Sequence, residues 1–296
     1  GKEMEKSKEI AREHDSFTGC ENASLYYQYW KVEKPRAILI IVHGFGEHTD
    51  RYDHVARHFC QHGISCYAIE HRGHGRSMGP RWNVEDFGYF VADLHKFIGM
   101  VKEKEGKNKY FMQGHSLGGE IALKYALVHP EDIEALFVSG PAVGQKEMPL
   151  AMMRDAIPSI ATLAKESPDM AMPGAEPIEP KYLNHDEDNT KAYADDSLVC
   201  HESMKIRLAF EAGKNIVWLQ DHAHELNVPC LFLQGSEDTL VDPDATVNFY
   251  NKVKEEDKKL IIYEGFYHEI FNEPEWFHGG KKRFFTDVDE WLLPRI

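Results

Sequence analysis

The sequence feature that most constrains the fold is a regular alternation of two kinds of segment. Short apolar runs rich in β-branched residues alternate with longer runs of helical period, a pattern typical of a parallel sheet with crossover helices. The predicted strands are Ala37–Val42, Ser65–Ile69, Lys109–Gln113, Ala135–Ser139, Cys230–Gln234 and Leu260–Tyr263. The predicted helices are Arg51–His62, Val84–Lys104, Leu117–His129, Ala245–Val253 and Lys282–Leu293. The sequence therefore predicts an α/β fold, with a mostly parallel central sheet flanked by helices.

One long segment interrupts this alternation. No strand is predicted between Ala142 and about Gly213, and the stretch Ser167–Pro180 within it contains four prolines. We interpret the segment as an insertion between two core strands. The prediction is a helical cap, or lid, at residues 142–213, with the core domain formed by residues 1–141 and 214–296.

The charge and the cysteines restrict the partners and the compartment. Lys and Arg total 34 against 49 Asp and Glu, a net charge of −15 that would repel phosphate backbones, so we expect no nucleic-acid partner. Five scattered cysteines without a Cys-x-x-Cys pair suggest neither disulfides nor a cysteine zinc site. The charged opening Gly1–Asp15 lacks the apolar core of a signal peptide, and no later apolar run reaches membrane-spanning length. We expect a cytoplasmic protein.

A glycine-flanked serine follows the third predicted strand. The run Gly114-His115-Ser116-Leu117-Gly118-Gly119 lies between that strand and a predicted helix. In the motif Gly-x-Ser-x-Gly, a serine on a sharp strand-to-helix turn projects its hydroxyl above the sheet, and the glycines avoid collisions with neighbouring elements. The helix N-terminus favours negative charge that develops there. Ser116 is therefore the predicted nucleophile.

A serine nucleophile needs a base and a group that orients the base. Asp238 follows the strand Cys230–Gln234 at the edge of the sheet where catalytic loops gather. It is preferred to Glu237 and to Asp242, which better fits the cap of the next helix. His268 is the only one of 17 histidines on the loop after the last predicted strand. We predict that Asp238 orients His268, the general base.

Two backbone N–H groups are expected to stabilise the oxyanion. One is the N–H of Leu117, directly after the nucleophile. The other is the N–H of Phe45, because the first predicted strand ends in His43-Gly44-Phe45-Gly46-Glu47-His48 and paired glycines let the backbone approach a substrate. We expect His43 and His48 to form structural hydrogen bonds, and the run His71–Ser77 to form a braced turn.

Five motifs occur in a fixed order along the chain. They are His43–His48 with Arg51-Tyr52, the turn His71–Ser77, and the runs Gly114–Gly119, Gly235–Asp238 and Glu264–His268. Together they resemble the monoacylglycerol lipase and lysophospholipase-like family of serine α/β-hydrolases, from about Ser24 to the C-terminus and less closely in the insertion. The resemblance implies an α/β-hydrolase fold that hydrolyses a single-chain lipid ester, typically monoacylglycerol to glycerol and fatty acid, without metal or cofactor.

The resemblance also implies a polar end of the site that holds glycerol. The family uses a glutamate and an arginine of the first motif, which match Glu47 and Arg51 here. From the residues alone, a surface ion pair or a loop brace is preferred for these two side chains. The human-type enzyme has a histidine three residues after its catalytic one, where this chain has Phe271. That departure leaves the preferred head group open.

An apolar stripe in the insertion matches the cap that the family implies. Residues recur at helical spacing at Leu150, Met153, Ile157, Ile160 and Ala164. Five of the ten methionines lie at Met148, Met152, Met153, Met170 and Met172, and methionine suits an adaptable apolar surface. We expect Met148, Met152, Ile157 and Ile160 to contact an acyl chain. A lid that opens towards lipid would also contact a neutral membrane or micelle surface transiently; the alternative is a helix that only covers core.

Three histidines lie four residues apart on a predicted helix. His54, His58 and His62 form one helical face that could bind a metal. No carboxylate or cysteine at ligand spacing completes the set. We interpret the face as solvated and predict no metal site.

Several activities fit the same motifs. A monoacylglycerol or other small carboxylic ester hydrolase leads, and a lysophospholipase, general carboxylesterase or thioesterase would use the same triad. Phosphocholine or coenzyme A head groups would need basic residues in the cap, where lysines such as Lys165, Lys181 and Lys191 are few among many acids. A non-catalytic scaffold is disfavoured by the complete Ser-His-Asp set, and a dehalogenase would require Asp at position 116. Nothing in the sequence specifies an oligomeric state.

Overall fold

The computed structural model describes residues 9–296, and a sheet of eight strands runs through them. The strands are β1 (Ala11–Thr18), β2 (Ser24–Lys31), β3 (Ala37–Val42), β4 (Ile64–Ile69), β5 (Tyr110–His115), β6 (Ala135–Ser139), β7 (Cys230–Gly235) and β8 (Lys258–Tyr263). Their order is β1-β2-β4-β3-β5-β6-β7-β8. The five pairs from β4 to β8 are parallel. The predicted mostly parallel sheet is confirmed, and all six predicted strands lie within it.

The two strands at the beginning of the sheet were not predicted. β1 pairs antiparallel with β2, and β2 pairs antiparallel with β4. Almost every side chain of β1 is exposed, so the sequence of this edge strand lacks apolar alternation and its pairing with β2 holds it in the sheet. Residues 1–8 of the predicted core domain, and with them the first half of the charged opening segment, lie outside the described residues.

The described part of the chain has eight α-helices. They are α1 (Asp53–Cys60), α2 (Phe87–Glu105), α3 (Leu117–Val128), α4 (Leu150–Glu166), α5 (Glu187–Asp195), α6 (Ile206–His222), α7 (Pro243–Lys252) and α8 (Gly280–Leu292). Asp86 and Asp242 cap α2 and α7 by accepting hydrogen bonds from backbone N–H groups two residues ahead, and the Asp242 cap was predicted from sequence. None of the helices within residues 9–296 combines the length and the apolar character needed to cross a membrane.

The helices bury both faces of the sheet. On one face α1 and α8 contribute Phe59 and Phe284 to an apolar layer. On the other face α2, α3 and α6 contribute Phe97, Leu123 and Leu219. Because both faces are covered, β3 is buried at every position, which explains why its sequence is a continuous apolar run.

The segment predicted as an insertion forms no strand of the sheet. Between residues 142 and 213 the structure has α4, α5 and the beginning of α6, with one isolated bridge from Ala171 to Lys205. Helix α6 continues to His222, past the predicted boundary, because it packs against both α4 and α3. The division into a core and a cap at residues 142–213 stays a prediction.

Candidate active site

Ser116 lies at the turn between β5 and α3 with a strained backbone. Its φ of 56° and ψ of −119° are unusual for a residue other than glycine. A Cβ at Gly114 would lie 2.5 Å from the carbonyl oxygen of Gly118, and a Cβ at Gly118 would lie 2.1 Å from the carbonyl oxygen of Val42. Only glycine therefore permits so close an approach of the helix to β5 and β3. The turn leaves Ser116 partly exposed between buried neighbours.

Asp238 and His268 form a buried hydrogen-bonded pair. The Nδ1–H of His268 donates to Asp238 Oδ2 over 2.7 Å, and Asp238 Oδ1 accepts from the backbone N–H groups of Leu240 and Val241 at 2.8 and 3.1 Å. Asp238 is fully buried and His268 is 4% exposed. With Nδ1 as donor, the Nε2 atom of a neutral ring is an acceptor. The pair can therefore hold His268 in the tautomer that a general base requires.

The two competing carboxylates lie elsewhere. Glu237 is exposed. Asp242 accepts a hydrogen bond from the backbone N–H of Asp244 at 3.0 Å, at the N-terminus of α7. Of the three carboxylates that follow β7, Asp238 is the one that the structure pairs with His268.

The end of β6 brings this pair to Ser116. The backbone N–H of Ser116 donates to the carbonyl of Ser139 at 3.1 Å, and a Cβ at the next residue, Gly140, would lie 3.1 Å from Nδ1 of His268. The Ser116 hydroxyl forms no hydrogen bond within residues 9–296, so it is free to bond His268. Such catalytic hydrogen bonds are often long before a substrate binds.

The charge of the pair sets the basicity of His268. Burial alone would lower the pKa of His268, but the charge of Asp238 and its hydrogen bond raise that pKa above the ordinary value. The neighbouring His115 has the opposite shift, since burial and the nearby His268 lower its pKa to about 3. A neutral His115, 4.6 Å from His268 between ring centroids, leaves His268 as the ring that exchanges protons at neutral pH.

Two backbone N–H groups near Ser116 are free. Among the described residues, neither Leu117, the first residue of α3, nor Phe45, in the loop after β3, donates its N–H to a protein acceptor. The loop and the helix are close because Gly118 packs on the end of β3 and a Cβ at Gly44 would lie 3.2 Å from the Cβ of Ser116. Free N–H groups at that place fit an oxyanion hole.

The histidines of the first two motifs are structural. His43 Nδ1–H donates to the carbonyl of Gly44 at 2.7 Å, and its Nε2 accepts from the backbone N–H of His71 at 3.1 Å. Burial lowers the pKa of His71 to about 3 and that of His74 to about 4, so both stay neutral. His48 reaches Asp196 after α5 at 2.6 Å. As predicted from sequence, these rings brace loops.

Glu47 and Arg51 belong to a buried ionic network. Arg51 contacts Glu47 at 2.8 Å and holds both oxygens of Glu269 at 2.6 and 2.9 Å. The other oxygen of Glu47 accepts from the backbone N–H of Gly44 and from the hydroxyl of Tyr52, each at 2.7 Å. The network braces the loop that carries Phe45. These contacts match the loop brace that was inferred from the residues alone. A role of Glu47 and Arg51 in binding glycerol stays a prediction.

Sequence reasoning missed Glu269, which directly follows His268. Glu269 is 2% exposed and also accepts from Asn184 and Asn272, each at 3.1 Å. Burial alone would raise the pKa of Glu269, but the bidentate Arg51 holds it well below the ordinary value. Its position beside the predicted base was the signal that could have identified it.

Sequence analysis also missed Glu273, which joins the loop that carries His268 to His185 of the predicted cap. Glu273, fully buried, accepts hydrogen bonds from the backbone N–H of Tyr267 at 3.0 Å and from Nδ1 of His185 at 2.8 Å. The ring of His185 stacks between Tyr267 and Phe277, with centroids 3.8 and 3.7 Å apart. This contact spans more than 80 residues, so no local pattern indicates it.

The four predicted acyl-chain residues fall in different environments along and just before α4. Ile157 and Ile160 pack against Ile206 and Phe210 of α6. Met148 is partly buried against α6, whereas Met152 is 54% exposed. Three of the four side chains therefore lie against α6, and Met152 lies on the surface. Direct contact of any of them with a substrate stays a prediction.

Comparisons with known proteins identify the family and the fold. Residues 33–275 match the model of the Hydrolase_4 family, described as serine aminopeptidase, S33. The chain is 31% identical to a monoacylglycerol lipase of Mycolicibacterium smegmatis over 96% of this chain and 98% of that protein. It is 30% identical to a monoglyceride lipase of Homo sapiens over 92% and 87%. A crystal structure of a Paleococcus ferrophilus monoacylglycerol lipase superimposes with a TM-score of 0.75, 28% identity and coverage of 97% and 100%.

Proposed function

Because the chain belongs to the monoacylglycerol lipase and lysophospholipase-like family of serine α/β-hydrolases, we propose that it hydrolyses monoacylglycerol to glycerol and a free fatty acid. It is a serine ester hydrolase; the substrate and the catalytic residues are the proposal. The observation that carries it is the buried Asp238–His268 hydrogen bond of 2.7 Å at the elbow that holds Ser116. The same edge of the sheet offers two free N–H groups.

The proposed reaction has two steps, formation of an acyl-enzyme and its hydrolysis by water. Ser116 Oγ attacks the ester carbonyl carbon while His268 Nε2 takes the hydroxyl proton, and the N–H groups of Phe45 and Leu117 stabilise the negative oxygen. The C–O bond to glycerol breaks, and His268 gives its proton to the departing alkoxide. Water then attacks the acyl-enzyme by the same route, which releases the fatty acid and restores Ser116. Asp238 keeps its charge throughout.

The charges around the site favour a neutral head group. Lys181 and Lys191 in the predicted cap each have an acidic neighbour, Glu179 and Asp195, at 3.3 and 3.1 Å, so the local positive potential for a phosphate is weak. An aminopeptidase would need a free carboxylate for the substrate's amino group. The two buried carboxylates beside the site, Glu47 and Glu269, both bind Arg51, so neither is free to receive an amino group. Monoacylglycerol is therefore preferred to a lysophospholipid, a thioester of coenzyme A or a peptide.

A panel of substrates tests this proposal. Because burial stabilises an acyl chain by about 0.8 kcal/mol per CH₂, kcat/KM for monoacylglycerols should rise up to roughly fourfold per added methylene and fall once the chain exceeds the apolar site. The measurement is kcat/KM for monoacylglycerols and p-nitrophenyl esters of graded length, beside lysophosphatidylcholine and acyl-coenzyme A. Faster hydrolysis of either charged substrate at matched chain length would contradict the assignment.

The pH dependence of turnover tests the pairing of His268 with Asp238. A general base works only when unprotonated, and the pKa of His268 is raised above 6.5, so activity should be lost as the pH falls through a value above 6.5. Asp238→Asn should move this acid limb of the kcat/KM profile to lower pH in the residual activity. An acid limb at the same pH in both proteins would show that Asp238 does not act on the titrating group.

Exposed apolar side chains of α4 offer a contact surface for neutral lipid. Met152 is 54% and Leu163 is 38% exposed, and a spacing of eleven residues places them on one helical face. Full burial of such a side chain is worth about 1.5–3 kcal/mol. The exposed parts of the two side chains together amount to about one whole side chain, so Met152→Ser with Leu163→Ser should weaken sedimentation with neutral phosphatidylcholine vesicles at least about tenfold, with little effect on short soluble esters.

A matched control comes from outside the predicted cap. Met78 is 62% exposed on the turn after β4, and Met78→Ser should leave vesicle binding unchanged. Since the chain has a net charge of −15, apolar docking should also survive added salt. Equal weakening by Met78→Ser, or release of the parent by salt, would show that the α4 face is not the docking surface.

The thiols suit a reducing compartment. All five cysteines are free in the structure, and four of them are buried. Burial raises the pKa of Cys230 to about 12, so this thiol stays protonated and unreactive at neutral pH. We therefore propose a cytoplasmic location with peripheral contact to membranes.

A further inference from the structure

A second group of side chains with ligand chemistry lies on the α1 and α8 side of the sheet. His58 lies on α1, His62 lies in the turn after it, and Asp289 lies on α8. His58 Nε2 is 2.8 Å from Asp289 Oδ2, and His62 Nε2 is 3.4 Å from the same oxygen. From these contacts we infer that the three side chains form a binding site for a divalent transition metal, with Zn²⁺ as the best match.

The distances suit a tetrahedral ion. Bonds of about 2.0–2.1 Å to imidazole nitrogen and carboxylate oxygen place neighbouring ligand atoms about 3.3 Å apart. The separation of His62 and Asp289 already has this value, and that of His58 and Asp289 needs to open by about 0.5 Å. All three ligand atoms lie within 4.8 Å of one another. Small side-chain rotations of partly exposed residues would complete the site.

The chemistry of the three ligand side chains favours Zn²⁺ over Ca²⁺ and Mg²⁺. Two imidazole nitrogens with one carboxylate suit Zn²⁺ and similar ions, whereas Ca²⁺ and Mg²⁺ prefer oxygen ligands throughout. Lys281 and Lys282 line the adjoining cleft of about 580 Å³ and reduce its attraction for a free cation. The affinity should therefore come from ligation and not from net charge. The cleft leaves the fourth position open to water.

The metal would replace a hydrogen bond. In its absence, a proton on Nε2 of His58 is donated to Asp289. When the metal binds, the proton of a neutral ring moves to Nδ1, so no net proton is released; a charged ring would release one. Since the ligands come from both α1 and α8, the bound ion would join these two helices and raise the melting temperature.

A similar trio elsewhere is less suited to a metal and supplies a control. Asp132, near His95 and His129, already accepts from the Tyr125 hydroxyl at 2.5 Å and contacts the Lys102 ammonium at 3.5 Å. The rings of His95 and His129 stack in parallel, 3.9 Å apart. A cation and a hydroxyl donor thus occupy the places that a metal would need.

The test is calorimetric titration of the full-length, EDTA-treated and dialysed protein with zinc sulfate. The parent should bind one equivalent of Zn²⁺ and melt at a higher temperature with zinc. Loss of groups that merely orient ligands costs about 10–100-fold in affinity. His62→Ala removes a ligand atom and should weaken binding at least about 100-fold, and Asp289→Asn, which exchanges the anionic carboxylate for a neutral amide, should weaken it at least about 10-fold. His129→Ala should bind zinc as the parent does.

Three outcomes would overturn the inference. They are no saturable binding by the parent, unchanged binding by His62→Ala, and loss of binding in His129→Ala alone. His62 is 35% exposed and follows α1, so its replacement should leave folding intact, and it decides the question if Asp289→Asn misfolds. Co²⁺ absorption in the visible range provides a second readout, since a tetrahedral site with histidine ligands gives bands that His62→Ala should lack.

Discussion

Replacing Ser116 with alanine should lower kcat for ester hydrolysis by a factor on the order of 10⁶, as loss of the serine does in a comparable triad. The substitution removes the oxygen that forms the acyl-enzyme, while the two N–H groups and His268 stay in place. The measurement is steady-state and single-turnover hydrolysis of a p-nitrophenyl ester. Residual activity above about 1% of the parent would contradict a nucleophilic role.

The same substitution should leave folding unchanged. Ser116 and alanine both carry a Cβ, so the positive φ of 56° costs the same in either protein. The hydroxyl makes no hydrogen bond to any residue in the range 9–296, so none is lost. Thermal melting and far-ultraviolet circular dichroism should match the parent, which separates a chemical effect from unfolding.

Asp238→Asn should lower kcat by about 10⁴. Asp238 Oδ1 accepts from two backbone N–H groups, so the amide oxygen of asparagine will keep that place and its NH₂ group will face His268. The Nδ1 atom of His268 must then accept instead of donate. The proton moves to Nε2, and the ring cannot take a proton from Ser116.

Asp242→Asn is the matched control for this prediction. Asp242 caps α7 through one hydrogen bond, and asparagine caps helices about as well as aspartate. Its kcat should stay within roughly twofold of the parent. Equal losses in the two variants would remove the reason for assigning Asp238 as the acid. Measuring kcat under saturating substrate, with melting curves for both variants, distinguishes these results.

The parts of the fold that sequence predicts are those set by local pattern. β3 and β6 have the predicted bounds because strands buried on both faces are continuous apolar runs. Ser116, Asp238 and His268 follow β5, β7 and β8, and the parallel pairing from β5 to β8 brings the ends of these strands to one edge of the sheet. Strand order and chain position therefore suffice to nominate the site.

The parts that sequence does not predict depend on distant contacts. The exposed edge strand β1 has no apolar pattern, and β2 holds it in place. Glu273 and His185 meet across 88 positions. Asp289 reaches His58 from α8, 231 positions away, so the carboxylate that the helical face of histidines lacked in sequence is supplied by tertiary structure.

Glu47 and Arg51 have two possible roles, binding of the head group and bracing of the loop after β3. The resemblance implies that Glu47 and Arg51 hold the head group, yet in the structure every oxygen of Glu47 already has a protein partner. Arg51 also binds Glu269 and lies over the ring of Tyr193 at 4.9 Å. A head group would therefore meet a wall whose charged groups are already bound to one another, which suits an uncharged polyol.

Covalent labelling shows which serine is the nucleophile. A fluorophosphonate probe loses fluoride when a serine oxygen attacks its phosphorus, and the phosphonate then stays on that serine. After digestion, mass spectrometry should find the label on the peptide that contains Ser116 in the parent, and no labelled peptide in Ser116→Ala. A label on any other serine, or undiminished labelling of the variant, would contradict the assignment.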